Sequence, residues 1–305
     1  MYDVVILGAG PAGLTAALYA ARAKLSTLVV TGPLVGGQIT LTYSVDNYPG
    51  FSEGVGGVAL ADMFKAHAKR FGAEFLEAPA TSVDFSGKPF RVITRERNVE
   101  ARSVIIATGL KDRKLGVPGE DRLQGHGVFH CATCDAALYE GRRVLVVGGG
   151  DSAIQEAIDL ARFASEVTLV HRRDSLRACR CLTDAAKAEP KIRFLLSTVV
   201  EEITGEKRVE MVMLRDLKTG SSYSVPADGV LVAIGWYPNT SIFNGQIDMD
   251  EEGYIANVGV KTSVAGVFIA GDLMDRVYRQ VVTACASGCQ AAIEAEHWLI
   301  GVGEP

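Results

Sequence analysis

The chain has 305 residues, of which 31 are Lys or Arg and 36 are Asp or Glu, giving a formal net charge of -5. This balance provides no basic field for nucleic acid or for an anionic membrane, so we expect neither as a partner. The length favours two domains of roughly 100 to 200 residues each. Six cysteines are too few for a disulfide scaffold. A CxxC pair without a secretory signal indicates a catalytic or metal-binding site in a cytoplasmic protein.

The chain opens with YDVVILGAGPAGLTAALYAARA, which predicts a buried strand, a turn containing Gly8, Gly10 and Gly13, and an Ala-rich helix. Residues 4–21 are uncharged and approach the length of a membrane span, but the glycines and Pro11 divide them, so we expect no span. In this G-x-G-x-x-G pattern the small residues let a pyrophosphate approach the helix N-terminus. The next strand, STLVVTG, ends without the acidic residue that usually binds a ribose, which leaves that contact unassigned.

The second half repeats this plan in RRVLVVGGGDSAIQEAIDLARFASEVTLVHRRD, with Gly148, Gly150 and Ala153 in the turn. Where an NAD site would have a carboxylate after the second strand, this sequence has basic residues instead: Arg172 and Arg173, with Arg177 as a third candidate. Guanidinium groups match a 2′-phosphate, so this half is predicted to prefer NADPH. The alternative interpretation is a solvated basic loop.

Three further segments predict strands that end in glycine turns: VIIATG (residues 104–109), GVLVAIG (residues 229–235) and VFIAGD (residues 267–272). A long helix is predicted over residues 283–299. If the second unit interrupts the first, the chain crosses between them near residues 111–118 and 236–240. Both crossings contain Pro or Gly and polar residues, as linkers do.

The segment HCATCD places Cys131 and Cys134 at positions i and i+3 of a predicted helix start. There the two lie within the separation that a disulfide tolerates, and a helix N-terminus favours a thiolate. Asp135 follows directly and is a candidate proton shuttle, although an ordinary acid at a helix start is the alternative. A zinc site is the rival interpretation of the pair, but the other cysteines lack the usual spacing of second ligands, so we expect no metal. The simplest interpretation of the other four cysteines is that they are small core or surface residues: Cys179, Cys181, Cys285 and Cys289.

Taken together, these residues resemble the low-molecular-weight, NADPH-dependent thioredoxin reductases. The resemblance runs from the first glycine turn to the C-terminal helix. CATCD between two dinucleotide turns is its most specific part. The other motifs that carry it are GAGPAG, GGQ at residues 36–38, DNYPGF at residues 46–51, IIATG, VPGE, GGGDSA, HRRD, AGD and YRQ at residues 278–280.

The resemblance implies an α/β fold with two Rossmann-like dinucleotide-binding domains. Residues 1–113 and 245–305 would form an FAD-binding domain, and residues 114–244 an inserted NADPH-binding domain that carries the redox disulfide. Electrons would pass from NADPH through FAD to the disulfide and then to thioredoxin, while the inserted domain rotates about the two linkers. A homodimer is implied by the resemblance alone.

Individual roles follow where this sequence matches the family motifs. Cys134 resembles the sulfur that faces the flavin, Cys131 the sulfur that attacks the substrate disulfide, and Asp135 the acid/base. FAD contacts are implied for Gly8, Gly10, Gly13, Gln38, Asn47, Thr108, Asp272 and Gln280. The NADPH side comprises the turn residues Gly148 and Gly150 together with Ser152, Arg172, Arg173 and Arg177.

The sequence departs from the family after CATCD, where Ala136, Ala137 and Leu138 replace a common Gly and two aromatic residues. This departure affects the surface that would face the partner more than the chemistry. A related reductase for another protein disulfide and a flavin dithiol oxidase are the alternative functions. The HRR motif discriminates against the oxidase, which has no need of a 2′-phosphate site. A nucleotide-binding redox sensor without turnover is the competitor from a different class.

Overall fold

The computed structural model describes residues 1–32 and 34–301. The chain forms two compact units, the first made of Met1–Lys111 and Tyr237–Pro305 and the second of Asp112–Trp236. The second unit is therefore an insertion into the first. The sequence places the boundaries at residues 113/114 and 244/245, whereas the units divide at 111/112 and 236/237.

The strands are β1 (Tyr2–Leu7), β2 (Thr27–Val30), β3 (Glu74–Leu76), β4 (Ala80–Asp84), β5 (Phe90–Thr94), β6 (Asn98–Ile106), β7 (Leu110–Asp112), β8 (Val128–Phe129), β9 (Arg143–Val147), β10 (Glu166–His171), β11 (Ile192–Leu196), β12 (Thr198–Thr204), β13 (Met211–Asp216), β14 (Ser222–Pro226), β15 (Gly229–Val232), β16 (Trp236–Pro238), β17 (Asn257–Val258), β18 (Lys261–Thr262) and β19 (Val267–Ile269). The α-helices are α1 (Pro11–Arg22), α2 (Gly57–Arg70), α3 (Ala132–Asp135), α4 (Asp151–Ala161), α5 (Arg180–Ala188) and α6 (Val281–Ile300). Short 3₁₀ turns span Gly37–Leu41, Ala136–Tyr139, Ser241–Phe243 and Gly271–Leu273.

The first unit is built on a parallel sheet in the order β19-β6-β1-β2-β3, extended by antiparallel strands at its margins. The centre of this sheet is apolar: Val4, Val5 and Ile6 of β1 are fully buried. Strands buried on both faces are typical of parallel sheets that helices cover. The helices α1 and α6 pack closely, because a Cβ at Gly288 of α6 would overlap the backbone of Ala12 in α1. This contact holds the start of α1 in place at the end of β1.

The second unit contains an all-parallel sheet in the order β11-β10-β9-β15-β8 and a separate antiparallel sheet, β12-β13-β14. Side chains of β9 alternate between two apolar clusters. Val144 and Val146 pack in the cluster that contains helix α4, whereas Leu145 and Val147 pack in the cluster that contains β12 and β13. The helix and the antiparallel sheet thus cover opposite faces of the parallel sheet, as its apolar strands require.

The two crossings of the chain pair with each other, since β7 and β16 form a two-stranded sheet. Both crossings predicted from Pro, Gly and polar composition lie at this ribbon. No helix among the described residues is long and apolar enough to cross a membrane.

Candidate active site

The first glycine turn joins β1 to α1, and its three glycines are needed for different reasons. Gly8 has φ +109°, and a Cβ there would overlap the carbonyl of Ala107. A Cβ at Gly13 would overlap the carbonyl oxygen of Gly8. At Gly10, in contrast, the nearest atoms to a Cβ lie 4.0 Å away, one of them the carbonyl oxygen of Gly36. Gly8 and Gly13 are therefore fixed by packing, while Gly10 borders open space at the helix N-terminus.

The N-terminus of α6 and the DNYPGF segment approach this turn. The side-chain amide of Asn47 donates a hydrogen bond of 3.2 Å to Oε1 of Gln280, although 233 positions separate the two residues. Gln280 is the N-cap of α6 and forms a capping box with Thr283. One turn further along α6, the Cys285 thiol lies 3.9 Å from the carbonyl oxygen of Pro11, the first residue of α1. These contacts bring Asn47 and Gln280 into the neighbourhood of Gly10.

Asp272 lies in the turn after β19, beside the same helix start. The preceding residue, Gly271, has φ +77° and donates a backbone hydrogen bond of 2.9 Å to the Ser287 hydroxyl. A Cβ at Gly271 would approach the Cβ of Ala12 to 3.0 Å. Burial raises the pKa of the Asp272 carboxyl to about 6. A partly buried carboxylate at the end of a parallel strand is well placed to accept hydrogen bonds from ligand hydroxyl groups.

Gln38 and Thr108 both bond to backbone carbonyls within the first unit. The Gln38 amide donates to the carbonyl oxygen of Leu110 at 3.1 Å, and the Thr108 hydroxyl donates to that of Asn239 at 2.8 Å. Thr108 also lies against Gly8, because its Cα would be 3.2 Å from a Cβ placed there. Thr108 therefore lies at the glycine turn, Gln38 is held by the strand that follows Thr108, and the contact of either residue with a cofactor stays a prediction.

The second glycine turn, between β9 and α4, has the same division of roles. A Cβ at Gly148 would overlap both the carbonyl oxygen of Ala233 and the Cβ of Ala153. Ala153 is fully buried, so the third position of the pattern serves helix packing here too. Gly150 is the N-cap of α4, and the nearest atom to a Cβ there is Nη2 of Arg177, at 3.8 Å. The open glycine of this turn thus faces a guanidinium group.

Basic side chains surround this second turn. The backbone N–H of Arg177 donates a hydrogen bond of 2.7 Å to the carbonyl oxygen of Gly149, which attaches the loop after β10 to the turn. Arg172, Arg173 and Arg177 are all exposed, as is Ser152 in the first turn of α4. The structure therefore brings the predicted nucleotide contacts together at one end of the parallel sheet.

His171 is a residue of this site for which the sequence predicts no role. It is 5% exposed and lies beneath the second glycine turn, where a Cβ at Gly149 would overlap its imidazole ring. Burial lowers the pKa of His171, and the charges of Arg177, Arg173 and Arg172 lower it further. Burial and the three guanidinium charges thus both favour the neutral form of the imidazole. The available signal was a histidine directly before the arginine pair.

The predicted redox pair forms a disulfide, Cys131–Cys134, with a Cα–Cα distance of 5.4 Å. Cys131 is the N-cap of α3, and its sulfur accepts a hydrogen bond of 3.2 Å from the backbone N–H of Cys134. Asp135 is 7% exposed, and its charge adds to burial in raising the pKa of Tyr139. The pair is therefore at a helix start, as the spacing predicts, with a buried carboxyl group directly beside it.

His130, directly before the pair, is a second residue for which the sequence predicts no role. Its Nδ1 lies 3.2 Å from the carbonyl oxygen of Val232, and its Nε2 lies 3.1 Å from Oε1 of Gln124. The carboxylate of Asp112 is 3.9 Å from the same Nε2. These contacts fix the backbone that leads into Cys131. Only the histidine's place beside the CxxC motif could have indicated it.

Each of the two units thus has one glycine turn suited to a dinucleotide, and the second unit also carries the disulfide. Each turn has a helix N-terminus without a side-chain cap and an open N-cap glycine, which are the features that a pyrophosphate needs. Arg172, Arg173 and Arg177 lie at the second turn, where guanidinium groups would match a 2′-phosphate. The residues present therefore fit FAD in the first unit and NADPH in the second.

Comparisons with known proteins agree with this arrangement. The sequence profile of the family described as pyridine nucleotide-disulphide oxidoreductase matches residues 2–288. A thioredoxin reductase of Streptomyces clavuligerus is 46% identical over 306 residues, covering 99% of this chain and 95% of that protein. One from Mycolicibacterium smegmatis is also 46% identical, over 98% of this chain and 97% of that protein.

Among solved structures, thioredoxin reductase from Streptococcus pyogenes superimposes with a TM-score of 0.94 at 40% sequence identity, covering 99% of each chain. The profile, the two relatives and this structure all span nearly the whole sequence. The chain therefore belongs to the pyridine nucleotide-disulphide oxidoreductase family, among its thioredoxin reductases.

Proposed function

We propose that the chain transfers electrons from NADPH through FAD and the Cys131–Cys134 disulfide to the disulfide of thioredoxin. The observation that carries this proposal is a disulfide at a helix start in a unit whose own glycine turn is surrounded by arginines. Full-length similarity to thioredoxin reductases supports this function over a dithiol oxidase. It also supports thioredoxin over other protein disulfides as the substrate.

The first unit is the proposed FAD-binding domain. Its pyrophosphate site is the N-terminus of α1, where Gly10 leaves room for close approach, and Asp272 would accept hydrogen bonds from cofactor hydroxyls. Gln38, Asn47, Thr108 and Gln280 are the remaining proposed contacts of this cofactor. The proposed NADPH-binding domain is the second unit, in which Arg172, Arg173 and Arg177 would hold the 2′-phosphate.

When bound, FAD supplies two-electron transfer between the nicotinamide and the disulfide. The chain's own contribution is the dithiol that reduction of Cys131–Cys134 leaves. The backbone N–H of Cys134 already points at the Cys131 sulfur, and a hydrogen bond to a thiolate stabilises it. Cys131 is thus the proposed nucleophile towards thioredoxin, and Cys134 then attacks Cys131 to release the reduced partner.

Asp135 is the proposed proton donor and acceptor for these thiols. Its backbone N–H bonds to the Cys131 carbonyl at 3.2 Å, which fixes the residue beside the pair. A buried carboxyl group can hold a proton at a higher pH than an exposed one, as exchange between thiolate and thiol requires.

Replacing Cys134 by Ser tests the assignment of the disulfide. The variant should retain bound FAD and its reduction by NADPH, but thioredoxin reduction should fall by about a thousandfold or more, because no disulfide can form. Cys289→Ser, which removes a thiol from α6, is the matched control and should keep the wild-type rate. Thioredoxin reduction at the wild-type rate by Cys134→Ser would refute the assignment.

Two further features of the proposed function rest on the resemblance and on composition. We propose that the enzyme is a homodimer, which sedimentation equilibrium of the holoenzyme would test by its mass. We also propose that it acts in the cytoplasm, where thiols stay reduced.

A further inference from the structure

Cys179 and Cys181 lie together at the start of α5, outside the disulfide that the proposed function uses. Both side chains are exposed, and their sulfur atoms are 3.0 Å apart. Cys179 is the N-cap of the helix and Cys181 lies in its first turn. At this distance one thiol donates a hydrogen bond to the other, so the two side chains already point at each other.

The backbone that carries this pair is attached to the second glycine turn at two places. The N–H of Cys179 donates a hydrogen bond of 2.7 Å to the carboxylate of Asp151, the first residue of α4. Two residues earlier, the N–H of Arg177 donates to the carbonyl oxygen of Gly149. A change in backbone geometry at the cysteines can therefore displace the glycine turn, because only a few covalent and hydrogen bonds separate them.

A metal site does not account for the pair. Among residues 1–32 and 34–301 no group of three His, Cys, Asp or Glu side chains is arranged to hold a metal ion. The two exposed sulfurs are in contact with each other, which is the arrangement of a dithiol.

We propose that Cys179 and Cys181 form a second, reversible disulfide, which modifies the enzyme beside its pyridine nucleotide site. The oxidant is a disulfide compound, the same chemical class as the substrate of the enzyme. One thiolate attacks a sulfur of the oxidant, forms a mixed disulfide and releases the first thiol. The other cysteine then attacks the sulfur held on the protein, forms the Cys179–Cys181 bond and releases the second thiol. Two protein thiols are oxidised and one disulfide is reduced to two thiols.

Either thiol can make the first attack, because the sulfur of the other cysteine then lies in contact with the sulfur held on the protein.

The disulfide itself is tested on the oxidised holoenzyme, in which Cys131–Cys134 is already closed. The protein is incubated with glutathione disulfide, its remaining thiols are blocked with iodoacetamide, and it is digested with trypsin. Cleavage after Arg177, Arg180 and Lys187 separates residues 178–180 from residues 181–187. Mass spectrometry should find these two peptides joined by one disulfide, and dithiothreitol should separate them. Recovery of both peptides with only iodoacetamide or separate glutathione groups would overturn the proposal.

Two single variants test the closing step. Cys179→Ser should accumulate glutathione on Cys181, because no second cysteine is present to release it. Cys181→Ser should likewise accumulate glutathione on Cys179. Wild-type protein that holds as much glutathione as the single variants would overturn the proposal.

A consequence for the nucleotide site rests on the proposed function. Closing the disulfide draws Cys181 towards Cys179 and displaces the segment that holds Arg177 beside the second glycine turn. Calorimetric titration with NADP⁺, which transfers no electrons to the protein, should show binding about fivefold or more weaker after treatment with glutathione disulfide. The double variant Cys179→Ser/Cys181→Ser, which can form neither the disulfide nor a glutathione adduct at this place, should show no weakening after the same treatment.

The outcomes separate the two proposals. Equal NADP⁺ affinity before and after formation of the linked peptides would overturn the coupling to the nucleotide site. Failure of the untreated enzyme to bind NADP⁺ would instead refute the proposed nucleotide site, because the disulfide is measured independently by mass.

Discussion

The backbone N–H of Arg177 donates a 2.7 Å hydrogen bond to the carbonyl oxygen of Gly149, so an arginine of the loop after β10 is fixed to the glycine turn before α4. Its guanidinium Nη2 is also the nearest atom to a Cβ placed on Gly150, at 3.8 Å. The same loop carries Arg172 and Arg173. This arrangement provides a positive site beside a helix N-terminus, which is suited to a phosphorylated dinucleotide.

Replacing Arg172 and Arg173 together by Ala should raise the KM for NADPH by about tenfold or more, because each charge-assisted hydrogen bond contributes about 1.5–3 kcal/mol. The KM for NADH should change little, since NADH lacks the 2′-phosphate. Steady-state kinetics with both nucleotides measures the ratio. Arg162→Ala, which removes an exposed arginine paired with Asp159, is the control. An unchanged NADPH/NADH ratio in the double variant would rule out the phosphate clamp.

The two glycines Gly10 and Gly13 should respond differently to the same substitution. Gly10→Ala meets no atom nearer than 4.0 Å and has φ -78°, so the free energy of unfolding of the cofactor-free protein should change by about 0.5 kcal/mol or less. FAD affinity should nevertheless fall, because the added methyl group occupies the approach to the helix N-terminus. Fluorescence titration of the cofactor-free protein with FAD measures this affinity.

Gly13→Ala is the matched variant, and it places its methyl group on the carbonyl oxygen of Gly8. Overpacking of this kind costs about 1–3 kcal/mol or more of folding free energy. Urea unfolding of both cofactor-free variants should therefore separate a binding effect from a stability effect. Equal stability losses at the two positions would contradict the roles assigned to these glycines.

Asp272 should make the stability of the cofactor-free protein depend on pH. Its folded-state pKa is about 6, whereas its ordinary value is 3.8, so the unfolded chain releases this proton at lower pH. Stability contributed by the protonated carboxyl is therefore lost as the pH rises from about 4 to about 6. Asp272→Asn removes this loss and should be more stable than the wild type near pH 7, by up to about 3 kcal/mol.

The difference between Asp272→Asn and the wild type should shrink as the pH falls towards 4, which urea unfolding at several pH values would measure. Asp275→Asn is the control, for which we expect a change in stability of the opposite sign. Burial opposes ionisation of Asp275, but backbone N–H groups of Tyr278, Arg279 and Val277 outweigh it and lower its pKa. That variant should lose stability near pH 7. A pH-independent difference for Asp272→Asn would contradict the account of its burial.

The parts of the fold that follow from sequence are those with local patterns. β1, the first glycine turn and α1 are adjacent in the chain, and apolar residues, glycines and alanines predict each of them. The bond between Asn47 and Gln280 joins residues 233 positions apart, so no local pattern predicts it. Only the resemblance to a family placed both residues at one cofactor. The burial of His171 beneath Gly149 likewise depends on tertiary packing.

The antiparallel sheet β12-β13-β14 could not be predicted from the sequence for a different reason. It contributes Val212 and Leu214 to one of the two clusters of the second unit, but no glycine motif marks it. The CxC spacing of Cys179 and Cys181 is visible in the sequence, whereas the direction of the two thiols depends on the backbone at the helix start.

An anaerobic titration of the holoenzyme tests the central claim, that electrons pass from NADPH to thioredoxin through FAD and Cys131–Cys134. NADPH is added while the flavin absorbance is recorded, and oxidised thioredoxin follows. The flavin absorbance should be lost with NADPH and recover on addition of thioredoxin. Loss without recovery would contradict thioredoxin as the electron acceptor, and no loss with NADPH would contradict the nucleotide site formed by the arginines.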